Sequence, residues 1–232
     1  MDPLADLARL EGVPSELTAA RDSVDVVLRD RGLRSITAEQ SSRALLTSAR
    51  ESAALTGDLE RWLPGAVRLC RELPVLSSLV LVSPGQALAR AHTLAGFGIV
   101  PDAELGRVRA DGEAARRMVS LAEIITQPTE APGLVLAAIA HAEVAVVAPF
   151  GSADGLVARA VEHMVLIATG VDPLGVVAVE AGHAADPAGY VRALDAYADG
   201  TVAGVRSWIV HCARSLTFGV AASPLVHERA DR

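Results

Sequence analysis

The chain has 232 residues, 51% of them hydrophobic, enough to bury a sizeable core and far too apolar for a disordered chain. Each of its 21 basic residues is an arginine, with no lysine or asparagine anywhere, which excludes a Walker-type lysine, a Schiff base and a lysine general base. A net charge of −7, with three Phe, two Trp and two Tyr, argues against nucleic acid as a partner.

In chain order, the pattern predicts a mainly α protein. Residues 1–36 read as a helical extension, with Leu17, Val24, Val27 and Leu28 at helical spacing over 15–31 and a stop at Gly32. Thr37 followed by Gln40 is a capping box, opening a helix to about Thr56 that Gly57 ends. Pro84 sits where a first-turn proline belongs and starts a helix through Leu94, closed by Gly96 and Gly98. Residues 112–122 read as a helix. Beyond them, over Leu121 to Pro132, Ile124, Ile125, Thr126, Pro128 and Pro132 suggest a loop or a short strand rather than a helix. Two apolar segments, about 131–147 and 154–169, flank Pro149-Phe150-Gly151. Asp186-Pro187 opens a helix to about Asp199, and Gly200-Thr201 leads into a last one ending near Leu216. The expected division is therefore an extension (1–36), a helical domain (37–216) and a tail (217–232).

Cys70 and Cys212 lie far apart without metal spacing, so no disulfide framework is expected and a reducing cytoplasm is the default location. The N-terminal MDPLADLARLEG is acidic and amphipathic, unlike a secretory signal. The uncharged stretch from Leu73 to Ala89 is too short and too broken by Pro74, Pro84 and Gln86 to span a membrane. Gly96-Phe97-Gly98 lacks the third glycine and the preceding strand of a dinucleotide site, and Gly151-Ser152-Ala153 is not a nucleophile elbow. Trp62 and Trp208 read as core anchors. His92 and His141 read as core or helix-interface histidines hydrogen-bonded to backbone, with a role as catalytic substitutes the alternative. None of His141, His163, His183, His211 and His227 shows a metal-binding spacing, and no structural metal is expected.

The informative stretch is a helix carrying His141 and Glu143, then Ala148-Pro149-Phe150-Gly151-Ser152-Ala153-Asp154-Gly155-Leu156-Val157-Ala158-Arg159, where a second helix begins. A helix start facing a cleft is a ready anion site, because its first N–H groups are unpaired. This run resembles the Fic family, whose motif is HPFx(D/E)GNGRxxR and whose members usually transfer AMP from ATP to a protein hydroxyl. His141 before the motif, Ala87 to Leu94 with Ala91-His92, Gly106-Arg107-Val108-Arg109, and Tyr190, Leu194 and Gly200-Thr201 through Trp208 follow the family's order over roughly residues 40–215. The resemblance implies a Fic-like helical bundle with a short β-hairpin flap near residues 121–128.

Departures from that motif decide the expected function. The position of the family's base is Ala148, that of its metal-holding acid is Ser152, and that of its first arginine is Leu156. The Gly-Asn-Gly run is Ala153-Asp154-Gly155. An upstream inhibitory helix reading (S/T)xxxE(G/N) matches Ser52 to Gly57, with Thr56 replacing the Glu. AMP transfer by the usual route is therefore not expected, nor is a cofactor. A protein-interaction or regulatory role is expected instead, with a protein partner that could be a second copy, no nucleic acid and no membrane. Asp154, Gly155, Arg159, Arg107, Arg109 and His163 are the candidate ligand contacts, with Arg159 free to bind phosphate or to pair with Glu143 or Asp154. The alternative is an atypical nucleotide-dependent transferase, in which Asp154 holds Mg²⁺, Arg159 binds phosphate, and His163 or Glu162 takes the proton from a protein hydroxyl.

Overall fold

Two helices with almost no polar face organise the molecule. A computed structural model of the chain describes residues 2–31, 37–110, 112–223 and 226. In it α7 (Gly133–Val147) buries Leu134 through Ala142, and α8 (Asp154–Ala168) buries Leu156 through Leu166. A helix covered on all sides belongs at a centre, and these two form an antiparallel pair joined by a short turn. Around them run α1 (Pro3–Leu7), α2 (Val13–Arg31), α3 (Ala38–Ala54), α4 (Leu59–Val80), α5 (Pro84–Gly96), α6 (Gly112–Thr126), α9 (Val179–Ala185), α10 (Pro187–Ala198) and α11 (Val202–Ala221). On one side α4 and α5 pack on α8; on the other α6, α10 and α11 cover α7, and α9 bridges α3 and α11. Among the described residues there is no strand, and none of the helices is long and apolar enough to cross a membrane.

The alanine- and glycine-rich sequence permits very close helix contacts. A Cβ on Gly65 would lie 2.0 Å from the Ala95 carbonyl oxygen, one on Gly204 1.8 Å from that of Ala196, and one on Gly182 1.8 Å from that of Ser215. Those three glycines let α4 meet α5, α10 meet α11, and α9 meet α11.

The capping box forms as expected: Gln40 N donates to Thr37 Oγ1 at 3.2 Å, and Thr37 N to Gln40 Oε1 at 3.0 Å. Two expectations need correction, and one helix was not anticipated. The flap near 121–128 is absent, because α6 continues to Thr126. Leu121 and Ile125 lie four apart and both face the core, and that tertiary burial outweighs the modest helix penalty of β-branched residues. The unanticipated helix is α4, which the prolines concealed, since Pro64 and Pro74 both lie inside it. An interior proline costs about 3 kcal/mol, but Leu69, Leu73, Leu76 and Val80 form a fully buried stripe at about 1.5–3 kcal/mol each. Finally, α11 runs past Leu216 to Ala221.

The N-terminal segment shares the main core. Val13, Leu17, Ala20 and Val24 of α2 are buried in it, and Arg214 of α11 pairs with Glu16 at 2.6 Å. Asp2 accepts from the Thr129 hydroxyl and the Glu130 N–H, both at 2.8 Å. The stop expected at Gly32, His227 and half of the expected tail lie outside the described residues.

Candidate functional site

The turn between α7 and α8 is an unusual piece of backbone. Ala148 closes α7 in the left-handed region (φ 46°), Gly151 follows at φ 75°, and Ala153 precedes α8 at φ 53°. Left-handed alanine costs roughly 1–2 kcal/mol per residue, so the surroundings must hold the turn. Arg109 does so from one side. Its backbone N–H donates to Pro149 O at 2.8 Å, its Nε to Ala148 O and its Nη2 to Val147 O, both at 3.0 Å. The guanidinium thus satisfies the last carbonyls of α7, where a helix end favours a cation.

From the other side His92 stacks flat on Phe150, with ring centroids 4.3 Å apart. Its Nδ1 accepts from Gly106 N–H at 2.9 Å, which leaves the proton on Nε2 to donate to Ser152 Oγ at 3.2 Å. Burial lowers the His92 pKa and keeps the ring neutral.

Asp154 occupies the centre. Its Oδ1 accepts from Phe150 N–H at 2.8 Å, and the N–H groups of Gly151 and Ser152 also favour its charge. The carboxylate therefore turns back into the loop and does not cap α8, contrary to what a helix-start aspartate suggests. The three converging N–H groups are an anion cradle, and the protein's own side chain fills it. Burial is nevertheless the larger influence and pushes Asp154 up to about 6. An acid raised above its ordinary 3.8 contributes stability fully below pH 3.8, and that contribution is lost as pH rises through about 6. At pH 7.5 the buried charge is thus a cost. Asp154→Asn keeps an accepting oxygen and removes the charge, so the melting temperature should rise a few degrees at pH 7.5, reflecting about 1 kcal/mol. At pH 4 the gain should vanish. A variant less stable than wild type at pH 7.5 would refute this account of the cradle.

Below the turn lies a chain of buried polar groups. Arg159 donates from Nε to Ser52 Oγ and from Nη2 to Ser52 O, both at 2.8 Å, and from Nη1 to the Tyr190 hydroxyl at 3.3 Å. Tyr190 in turn faces His141 Nε2 at 2.9 Å, and His141 Nδ1 faces Glu162 Oε2 at 2.5 Å. His183 Nε2 reaches the same oxygen at 2.8 Å, and His211 Nε2 lies 3.1 Å from His183 Nδ1. Because an ionised carboxylate only accepts, both histidines donate to it, and their far nitrogens accept from Tyr190 and His211. Burial holds His141 and His211 down to about 4. Burial opposes charge on Glu162 too, but His183 and His141 override it and keep the carboxyl well below its usual range. One buried carboxylate and one buried guanidinium thus balance across a bridge of neutral rings.

On another face of α8, His163 Nδ1 lies 3.1 Å from Glu180 Oε1. Burial pulls His163 down, but the Glu180 carboxylate and the more distant Asp172 and Glu162 leave it raised.

The expected site residues therefore divide into two groups. Asp154, Ser152, Gly155 and Arg109 do meet at the turn, with Arg107 exposed on the adjoining loop. Arg159 and His163 are buried, 2% and 1% exposed. Arg159 forms neither expected ion pair, because Glu143 is held by Arg117 at 2.9 Å and Tyr197 at 2.7 Å, and Asp154 by backbone. Gly155 makes room for it, since a Cβ there would lie 3.3 Å from Arg159 Nη1. His141 bonds to side chains and not to backbone. Glu162 and Tyr190 were singled out in the sequence for other reasons, but their link to His183 and His211 was not; the one signal was a Glu-His pair within the apolar stretch Ala160 to Leu166 of α8.

No protein-family model matches the chain, and no curated protein matches it in sequence. Among solved structures it is similar to a Fic family protein from Desulfovibrio desulfuricans G20, with a TM-score of 0.69 at 16% identity over 89% of this chain and 74% of that one. The fold is that of a Fic protein. At that identity the likeness concerns architecture, so the Fic fold supplies the arrangement of helices and the turn, and the side chains at the turn carry the chemistry.

Proposed function

We propose that this chain uses the Fic fold as a binding or regulatory module for a protein partner and does not transfer AMP by the route the Fic motif supports. The observation that carries the reading is Asp154, whose carboxylate sits on the N–H groups that a phosphate would need. Around it, Ala148 offers no proton acceptor, Ser152 is a poor ligand for a hard cation, and Leu156 supplies no charge. Loss of a positioned base alone typically costs about 10²–10⁴ in rate, and loss of a metal clamp several kcal/mol more.

Two competing readings are weaker. A rewired transferase needs Arg159 with His163 or Glu162 at the turn, and the geometry engages each of them inside the core. A small-molecule sensor would use a cleft vacated at the turn, and there Phe150 and Leu156 are buried, 5% and 1% exposed. A partner surface, including one between two copies, draws support from exposed apolar side chains such as Val82, Phe97 and Val119.

Incubation with labelled ATP, UTP or GTP, with Mg²⁺ or Mn²⁺ and candidate target proteins, should give no covalent label above background. Labelling that depends on the nucleotide and disappears in Asp154→Ala would reverse the conclusion in favour of a transferase.

A further inference from the structure

We propose that His141, Glu162 and His183 form a binding site for a transition-metal ion of the zinc class, which ties α7, α8 and α9 together. His141 Nδ1, His183 Nε2 and a Glu162 oxygen all lie within 4.8 Å of one another, and all three residues are wholly buried. Two imidazoles with one carboxylate is a donor set for zinc rather than for Mg²⁺ or Ca²⁺, which take oxygens.

Two further features distinguish this cluster from an ordinary buried hydrogen-bond network. Each ring's far nitrogen already has an orienting partner, the Tyr190 hydroxyl for His141 and His211 for His183. A metal-bound histidine donates from that nitrogen to such a partner; here both far nitrogens accept, so the two tautomers reverse on binding. In addition, Glu162 Oε1 is buried without an N–H or O–H donor, and the further neighbour of this carboxylate is the buried Cys212 thiol, a weak donor. A buried carboxylate served on that side by a thiol alone keeps acceptor capacity that a cation could use.

Binding would replace the two N–H···Oε2 hydrogen bonds with metal bonds. Each imidazole proton then moves to the far nitrogen, where Tyr190 O and His211 Nε2 accept; the Tyr190 hydroxyl proton turns away from His141, and His211 carries its own proton on Nδ1. The ring nitrogens and the carboxylate oxygen, 2.5 and 2.8 Å apart, would spread by about 0.5–0.8 Å to the roughly 3.3 Å that a tetrahedral ion with bonds of about 2.0–2.1 Å requires. A site without solvent access loads as the chain folds, so the ion should resist removal from the native protein and be lost on unfolding.

The test is metal analysis of the full chain, refolded in the presence of zinc and freed of loose ion by gel filtration. About one zinc per chain is expected to remain, with a melting temperature above that of protein refolded with a chelator. His183→Gln keeps an amide donor for Glu162 and should fold while losing the zinc. His163→Gln, which alters the buried histidine outside the cluster, should keep it. Zinc-free protein after refolding, with no change in melting temperature, overturns the proposal without recourse to any variant. So does zinc retained undiminished in folded His183→Gln.

Discussion

Glu162→Ala, assayed by urea unfolding in the presence of a chelator, should lose about 3–5 kcal/mol, the cost of breaking a buried charge network by removing one partner. The substitution strands the buried N–H groups of His141 and His183 and leaves Arg159 without its distant counter-charge. Against a total stability of about 5–15 kcal/mol, that is enough to leave a measurable unfolded population at 25 °C. Glu162→Gln retains an acceptor for the two rings and should lose about half as much, because only the charge is gone. A loss below about 1 kcal/mol for the alanine variant would mean that the network contributes little.

The same network sets the acid response. Glu162 lies below its ordinary 4.5, so its contribution is present above that value and lost as pH falls. His141 and His211 lie at about 4, below their ordinary 6.5, so the native state resists their protonation and loses stability as pH falls from 6.5 through 4. Both signs point the same way, towards steep destabilisation on the acid side.

Gly182→Ala should be comparably severe for a steric reason. Its Cβ would meet Ser215 O at 1.8 Å, C at 2.5 Å and Cα at 2.7 Å. All three are backbone atoms, which no rotamer change relieves, so α9 must move off α11. The expected cost is about 3 kcal/mol or more, with His183 displaced at the next position. Gly85→Ala is the control. It lies in α5 with nothing within 4 Å of the added methyl, and should stabilise by about 0.5–1 kcal/mol through helix propensity. If the two variants unfolded at the same urea concentration, the close contact of α9 and α11 would not be as described.

How much of this was legible in the sequence depended on the range of the interaction involved. Thr37 with Gln40, Pro84 at a helix start and Asp186-Pro187 are contacts within one turn of chain, so their helices could be read directly. The apolar runs of α7 and α8 announced a buried pair, and Pro149-Phe150-Gly151 the break between them. Local rules failed where burial overruled them, at the prolines of α4 and the isoleucines of α6, because the compensating partners lie on other helices.

The candidate site divides along the same line. The sequence by itself determined that the α7–α8 turn carries Ala148, Ser152 and Leu156, residues with no base, no metal acid and no charge, since that is a matter of composition at fixed positions. Only the tertiary structure decided that Asp154 folds back onto the turn, that Arg159 is spent on Ser52 and Tyr190, and that His141, Glu162 and His183 meet. Their spacing of 21 residues at each step matches no local motif, because three separate helices bring them together, and a hydrogen bond depends on distance in space and not on separation along the chain.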